Sequence, residues 1–142
     1  MANSESLAGY SVRKAIAHDV PFIMASWLSS WRTSRYAGCI RNCDYFSITR
    51  SLIEDLIARG ATLIVADAGD TLLGWACGEV KDDQTVLHYV YVKDPFLRRG
   101  IEDRLLESLP GVKPGWFTFY QDRLEKAPGW KHTPEMARRK TL

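Results

Sequence analysis

The chain has 142 residues, 46% hydrophobic and 25% charged, with 19 Lys and Arg against 17 Asp and Glu. This is one domain of ordinary globular composition, which excludes a disordered, collagen-like or coiled-coil chain. A net charge of +2 is too small for a dedicated nucleic-acid binder, and no apolar run approaches the roughly 18–20 residues of a membrane span.

Tyr10–Ala15 reads as a short strand. Asp19 reads as a helix N-cap, with Pro21 in the first turn. Ile23, Trp27, Leu28 and Trp31 then recur on one helix face. Arg32–Asn42 has no clear period, carries Arg32, Arg35 and Arg41, and reads as a loop or broken helix. Asp44 is the expected cap of a second helix, whose apolar stripe is Ile48, Leu52, Ile53, Leu56 and Ile57. Gly60 stands at its C-terminal stop. Thr62–Ala66, Leu72–Val80 and Val86–Val92 follow as strands joined by turns at Ala68–Asp70 and Lys81–Gln84, an antiparallel meander.

Pro95 closes that region. Ile101, Leu105, Leu106 and Leu109 form a third helical stripe, stopped by Pro110 and Gly111. Gly115–Phe119 is a further strand. Asp122–Lys126 reads as one or two helical turns, and the last dozen residues as a strand or an extended arm. The order β-α-α-β-β-β-α-β implies an α/β layered domain with a mixed, mostly antiparallel sheet flanked by helices. Residues 1–9 are taken as an N-terminal extension, 10–130 as the domain and 131–142 as a basic C-terminal arm.

Met1–Ser6 has neither the basic start nor the apolar core of a signal peptide, so a cytoplasmic chain is expected. Cys39, Cys43 and Cys77 are read as free thiols. With His18, His88 and His132 as the only histidines, no zinc spacing is present and no metal is expected. From Asp122 to Leu142 there are six Lys or Arg against three Asp or Glu, including Arg138, Arg139 and Lys140. A solvated tail and an arm that docks on an acidic partner both fit that run.

The stretch Val90–Leu106 carries the most chemistry. A strand ends, a loop with Arg98, Arg99 and Gly100 follows, and a helix opens at Ile101. Unpaired N–H groups and the positive dipole end of a helix suit a phosphate. Gly100 lets the backbone approach a ligand, and the arginines add bidentate donors. Glu79 and His88 stand on neighbouring strands and are candidates for a general base. In that reading His88 shares a sheet face with Val86 and Val90, while Leu87, Tyr89 and Tyr91 take the other. Trp27, Trp31 and Trp75 are read as core.

This stretch resembles the signature of the GNAT superfamily, the Gcn5-related N-acetyltransferases. In it a strand ends in Val, a Pro follows, and Arg/Gln-x-x-Gly-x-Gly/Ala opens a helix. Val92, Pro95, Gly100, Ile101, Leu105 and Leu106 fall in register, and the Tyr10–Trp31 and Gly74–Val80 segments are similar to the family's. The resemblance implies acetyl transfer from acetyl-CoA to a small-molecule or protein amine. It places pantetheine on the backbone near Val90 and Val92, and pyrophosphate on Arg98, Arg99, Gly100, Ile101 and Glu102. Gly129-Trp130 resembles the Gly-aromatic pair that follows the family's proton-donating Tyr. That Tyr position falls near Leu124, and Tyr120 is the nearest tyrosine.

Two positions depart from the signature. Leu97 replaces Arg or Gln, and Glu102 replaces Gly or Ala, which puts a carboxylate where a pyrophosphate would lie. A second class of function is therefore expected beside the enzyme: a GNAT-fold protein without its cofactor, acting as a binding or structural component. Its eroded signature resembles those of bacteriophage-encoded members, and a role in a phage particle or its assembly, in host cytoplasm or virion, is one form of that class. Partner contacts would then fall on the basic arm and the Arg32–Asn42 loop.

Overall fold

A computed structural model describes residues 9–34, 37–38 and 40–137. Most of the N-terminal extension, Arg35, Cys39 and the Arg138-Arg139-Lys140 cluster lie outside the described residues.

Among the described residues, six strands form one sheet in chain order: β1 (Ser11–Lys14), β2 (Thr62–Asp67), β3 (Leu72–Lys81), β4 (Gln84–Val92), β5 (Lys113–Phe117) and β6 (Lys131–His132). β1 to β4 pair antiparallel, whereas β5 joins β4, and β6 joins β5, in parallel. The described residues also form the α-helices α1 (Val20–Trp31), α2 (Asn42–Ala58), α3 (Ile101–Glu107) and α4 (Asp122–Glu125). The single α/β domain with a mixed, mostly antiparallel sheet is the expected class.

Alternation along the strands sorts apolar side chains into two cores. Val65, Trp75, Cys77 and Tyr89 pack under α1 and α2 with Ile23, Trp27, Tyr45, Ile53 and Leu56. Ile64, Ala66, Leu87 and Val90 pack under α3 with Ile101, Leu105 and Phe117. Trp27 sits at the centre of the first core, 5.1 Å from Trp75, 5.6 Å from Tyr89 and 5.0 Å from Phe119 between ring centroids. Trp75 keeps its indole N–H satisfied by donating to Ser26 Oγ at 2.8 Å. Such rings bury large apolar areas and dominate a core of this size.

Several local expectations change. Asp19 stands at the N-cap position of α1, as expected, but its side chain makes no cap hydrogen bond to that helix. Its carboxylate accepts the Ile16 N–H at 2.8 Å and pairs with Arg13 at 2.9 Å, tying the entry of α1 to β1. Asp44 lies inside the first turn of α2, which begins after Arg41, and pairs with Arg41 at 3.2 Å. Ile48 is 54% exposed, and the buried face of α2 runs through Tyr45, Thr49, Ile53 and Leu56 instead. β5 starts at Lys113 and ends at Phe117. The turn between β3 and β4 shrinks to Asp82 and Asp83, both at positive φ, as two-residue hairpins require. Gly60, at φ +93°, is the stop of α2 that its place in the sequence predicts. Arg32 is engaged within its own chain. Its guanidinium folds back onto the carbonyls of Ala37 and Ile40 and onto Asn42 Oδ1, with its face over Tyr45.

The sheet continues past residue 130. Lys131 and His132 pair with Trp116 and Phe117, and a 3-10 turn over Pro134–Ala137 follows. Among the described residues, no helix is long and apolar enough to cross a membrane.

Candidate functional site

The site is built where β4 loses a neighbour. β3 accompanies β4 as far as the Gly74–Val92 pair, whereas β5 pairs with it only from Gln84 to Leu87. The Thr118 N–H makes one more bond to the Leu87 carbonyl at 3.0 Å, and the two strands then part. The main-chain groups of Val90 face this opening. Gln121 reaches across it: its Nε2 donates to the Val90 carbonyl at 3.1 Å and its Oε1 accepts the Val90 N–H at 3.4 Å. A side-chain amide thus takes the place of a strand. Val92, two residues on and of the same strand parity, opens into a cleft of about 430 Å³ lined by Phe96, Leu97, Arg98, Gly100, Glu102 and Asp103 as well.

The loop over that cleft bends through two residues at positive φ, Arg98 at +65° and Gly100 at +82°. Gly100 precedes the first turn of α3, and a Cβ there would meet nothing within 4 Å. The glycine therefore serves the backbone bend rather than tight packing. Ile101 and Leu105, 1% and 0% exposed, anchor α3 against the sheet and fix the loop above it. Arg98 and Arg99 are exposed. Glu102 and Asp103 bring two carboxylates into the same cleft wall as Arg98.

On the opposite face a polar chain crosses the sheet. Arg59, just past α2, pairs with Glu79 at 2.7 Å. Glu79 Oε1 lies 2.7 Å from His88 Nε2, and His88 Nδ1 lies 2.8 Å from Thr118 Oγ1. A carboxylate only accepts, so Nε2 carries the proton, and Nδ1 of the neutral ring then accepts the Thr118 hydroxyl. His88 is fully buried. Burial pushes its pKa down and keeps it neutral. The hydrogen bond from His88, followed by that from Arg59, holds the Glu79 carboxyl at about 2.

His88 reaches Glu79 because β4 carries a bulge. Cys77 pairs with Tyr89 and Gly78 with Leu87, which leaves His88 as the extra residue. The bulge resets the alternation expected from the sequence. Leu87 faces the α3 core with Val90, while Tyr89 and Tyr91 face the α1–α2 side. Leu87 and Tyr89 therefore do not share a face, nor do His88 and Val90.

Thr118 also lines a second pocket, of about 360 Å³, with Trp31, Leu52, Phe119, His132 and Glu135. Trp31 is thus partly a pocket wall. Its indole N–H donates to the Tyr120 carbonyl at 3.1 Å, whereas Trp27 and Trp75 are core as expected. His132 is hydrogen-bonded to the Thr118 main chain, and burial lowers its pKa.

The structure therefore unites Glu79 with His88 on one face, and Val92 with Arg98, Gly100 and Glu102 around the cleft. Tyr120 is sorted to the α3-side core, against Phe117 and His132. At the position that the family resemblance gives to a tyrosine, Leu124 is 3% exposed and apolar. Sequence reading missed Arg59, Thr118 and Gln121. Arg59 and Thr118 directly follow a helix and a strand, Gln121 directly precedes α4, and no spacing links them to the residues they touch. Among the described residues no group of three or more His, Cys, Asp or Glu is placed to hold a metal. Of the described cysteines, Cys43 is exposed and Cys77 buried.

No protein-family model and no curated protein matches the sequence. Solved structures do match. One is the PaiA N-acetyltransferase from Thermoplasma acidophilum in complex with coenzyme A, with TM-score 0.52 and 20% identity over 69% of this chain and 67% of that one. Another is a GNAT family acetyltransferase from Brucella melitensis in complex with acetyl-CoA, with TM-score 0.51 and 19% identity over 68% of this chain and 63% of that one. The fold is that of the GNAT acetyltransferases.

Proposed function

We propose that the chain is an acetyl-CoA-dependent N-acetyltransferase. The observation that carries this reading is the opening beyond Leu87, where the main chain of Val90 is held by a side-chain amide in line with the Val92–Asp103 cleft. An extended ligand with amide groups and an anionic end fits such a slot. The coenzyme A and acetyl-CoA bound to the two matching proteins support the same choice.

Acetyl-CoA supplies the activated acyl group as a thioester. The protein's task is to bind, orient and manage protons. Val90 offers one N–H and one C=O to a ligand amide once Gln121 releases them. Arg98 and Arg99 offer charge-assisted bonds to phosphate oxygens, and Gly100 lets the main chain come close. The acceptor amine enters from the Trp31–Phe119 pocket on the other face, and the Glu79–His88 pair keeps a neutral base beneath it.

A second reading, a GNAT-fold binding component without cofactor, is favoured by Glu102 and Asp103 in the cleft wall and by the buried Leu124. Calorimetric titration with acetyl-CoA, with CoA as control, followed by thiol release against a panel of amines, separates the two. Micromolar binding and amine-dependent thiol release are expected. No heat at millimolar acetyl-CoA from the folded protein selects the second reading.

A further inference from the structure

Thr118, His88 and Glu79 form a hydroxyl–imidazole–carboxylate series: Oγ1 to Nδ1 at 2.8 Å, then Nε2 to Oε1 at 2.7 Å. This is the arrangement in which a hydroxyl passes its proton to an imidazole that a carboxylate orients. We propose that Thr118 is a catalytic residue, the outlet through which buried His88 withdraws a proton from the acceptor amine. The inference rests on the acetyltransferase reading above and extends it to the base and the class of acceptor.

Three observations combine. His88 is fully buried and both ring nitrogens are engaged, so it reaches a substrate only through a partner. Glu79 is fixed by Arg59 and is the oriented end of the series. Thr118 is the member that also lines the pocket with Trp31, Leu52, Phe119, His132 and Glu135. It stands at the last main-chain bond before β4 and β5 part. The base thus meets the acceptor pocket where the sheet opens toward the Val90 slot.

A bound ammonium gives one proton to Thr118 Oγ1 while the Thr118 hydroxyl proton moves to His88 Nδ1. The resulting imidazolium is held by the Glu79 carboxylate at Nε2. The neutral amine attacks the thioester carbonyl, the N–C bond forms and the C–S bond breaks. The second amine proton goes to the departing thiolate. His88 returns its proton through Thr118 to solvent as the amide leaves.

The pocket also fixes the acceptor class. Its walls are the rings of Trp31, Phe119 and His132 with apolar Leu52, Pro134 and Ala137, and it holds one carboxylate, Glu135. That suits a primary amine carried on an aromatic or branched apolar body. The acceptor's apolar part gains from desolvation against Trp31 and Phe119, and the carboxylate favours its charge.

The test uses the full chain with saturating acetyl-CoA and two probes, 2-phenylethylamine and ethanolamine. Thr118→Val, which keeps the shape and removes the hydroxyl, is expected to cut kcat for 2-phenylethylamine by about 100-fold. Its acetyl-CoA affinity and circular dichroism should match the parent's. Thr118→Ser should recover most of the loss, and nitrogen NMR should show that His88 loses its Nδ1 hydrogen bond in the valine variant alone. An active parent whose Thr118→Val variant turns over equally overturns the relay and leaves acetyl transfer standing. A parent that prefers ethanolamine overturns the acceptor class. A parent that binds acetyl-CoA yet acetylates neither amine overturns the relay together with the transferase reading.

Discussion

Glu79 and His88 hold each other across the β3–β4 hairpin at 2.7 Å, and the pair ties the end of α2 to the middle of the sheet through Arg59. The contact makes stability depend on pH with a definite sign. Glu79 sits below its ordinary 4.5, at about 2, and His88 sits below its ordinary 6.5. In both cases the unfolded chain binds more protons than the folded one. The contribution of His88 is complete above 6.5 and erodes as pH falls below it. That of Glu79 is complete above 4.5 and is lost as pH falls toward about 2. The thermal midpoint should therefore fall between about pH 7 and pH 5, and His88→Gln should flatten that fall. His132, shifted the same way by burial, keeps its own part. A midpoint that rises on acidification contradicts the assignment.

Arg59 holds more than Glu79. Its guanidinium also donates to the carbonyls of Met136 and Ala137 at 3.0 and 3.2 Å. Arg59→Ala should cost about 2–3 kcal/mol, because it leaves the half-buried Glu79 carboxylate with the neutral His88 N–H and no cation beside it. Denaturant unfolding reads the cost. Amide exchange should rise selectively over Pro134–Ala137, and an even rise across the chain would show that the arginine does not pin that turn.

Gln121 competes with any ligand amide for Val90. Two neutral hydrogen bonds are worth about 1 kcal/mol each, part of which returns when the freed groups meet water. Gln121→Ala should therefore tighten acetyl-CoA binding about three- to tenfold. Calorimetry of the two proteins side by side decides it. A weaker variant would mean that Gln121 contacts the ligand rather than yielding to it.

Glu102 and Arg98 face the same cleft with opposite charge. Glu102→Gln should raise acetyl-CoA affinity and Arg98→Ala lower it, each by about five-fold, the scale of one charge at partly solvated distances. Both effects should shrink in high salt. Equal affinities in all three proteins would remove the phosphate end from this loop.

Much of the fold was legible because its elements obey simple periods. The stripes Ile23–Trp27 and Ile53–Leu56 and the three meander strands survive intact, since burial on one face enforces the spacing. Reading failed where side chains overrule local rules. Asp19 abandons the helix it precedes because Arg13 and the Ile16 N–H offer stronger partners. A bulge moves Leu87 away from Tyr89, and nothing in the residue types of β4 announces it. The arginine–glycine loop was visible as a motif. The partners that complete the site, Arg59 with Glu79, Thr118 with His88 and Gln121 with Val90, are 20, 30 and 31 residues apart. Only the folded sheet brings them together.

The most direct test is an amide-resolved NMR titration of the labelled chain with acetyl-CoA. Shifts are expected at Val90, Val92 and Arg98–Glu102, together with release of the Gln121 side-chain amide from its bonds to Val90. Unmoved signals along that path at millimolar acetyl-CoA, or shifts confined to another face of the sheet, would contradict the proposed cofactor site.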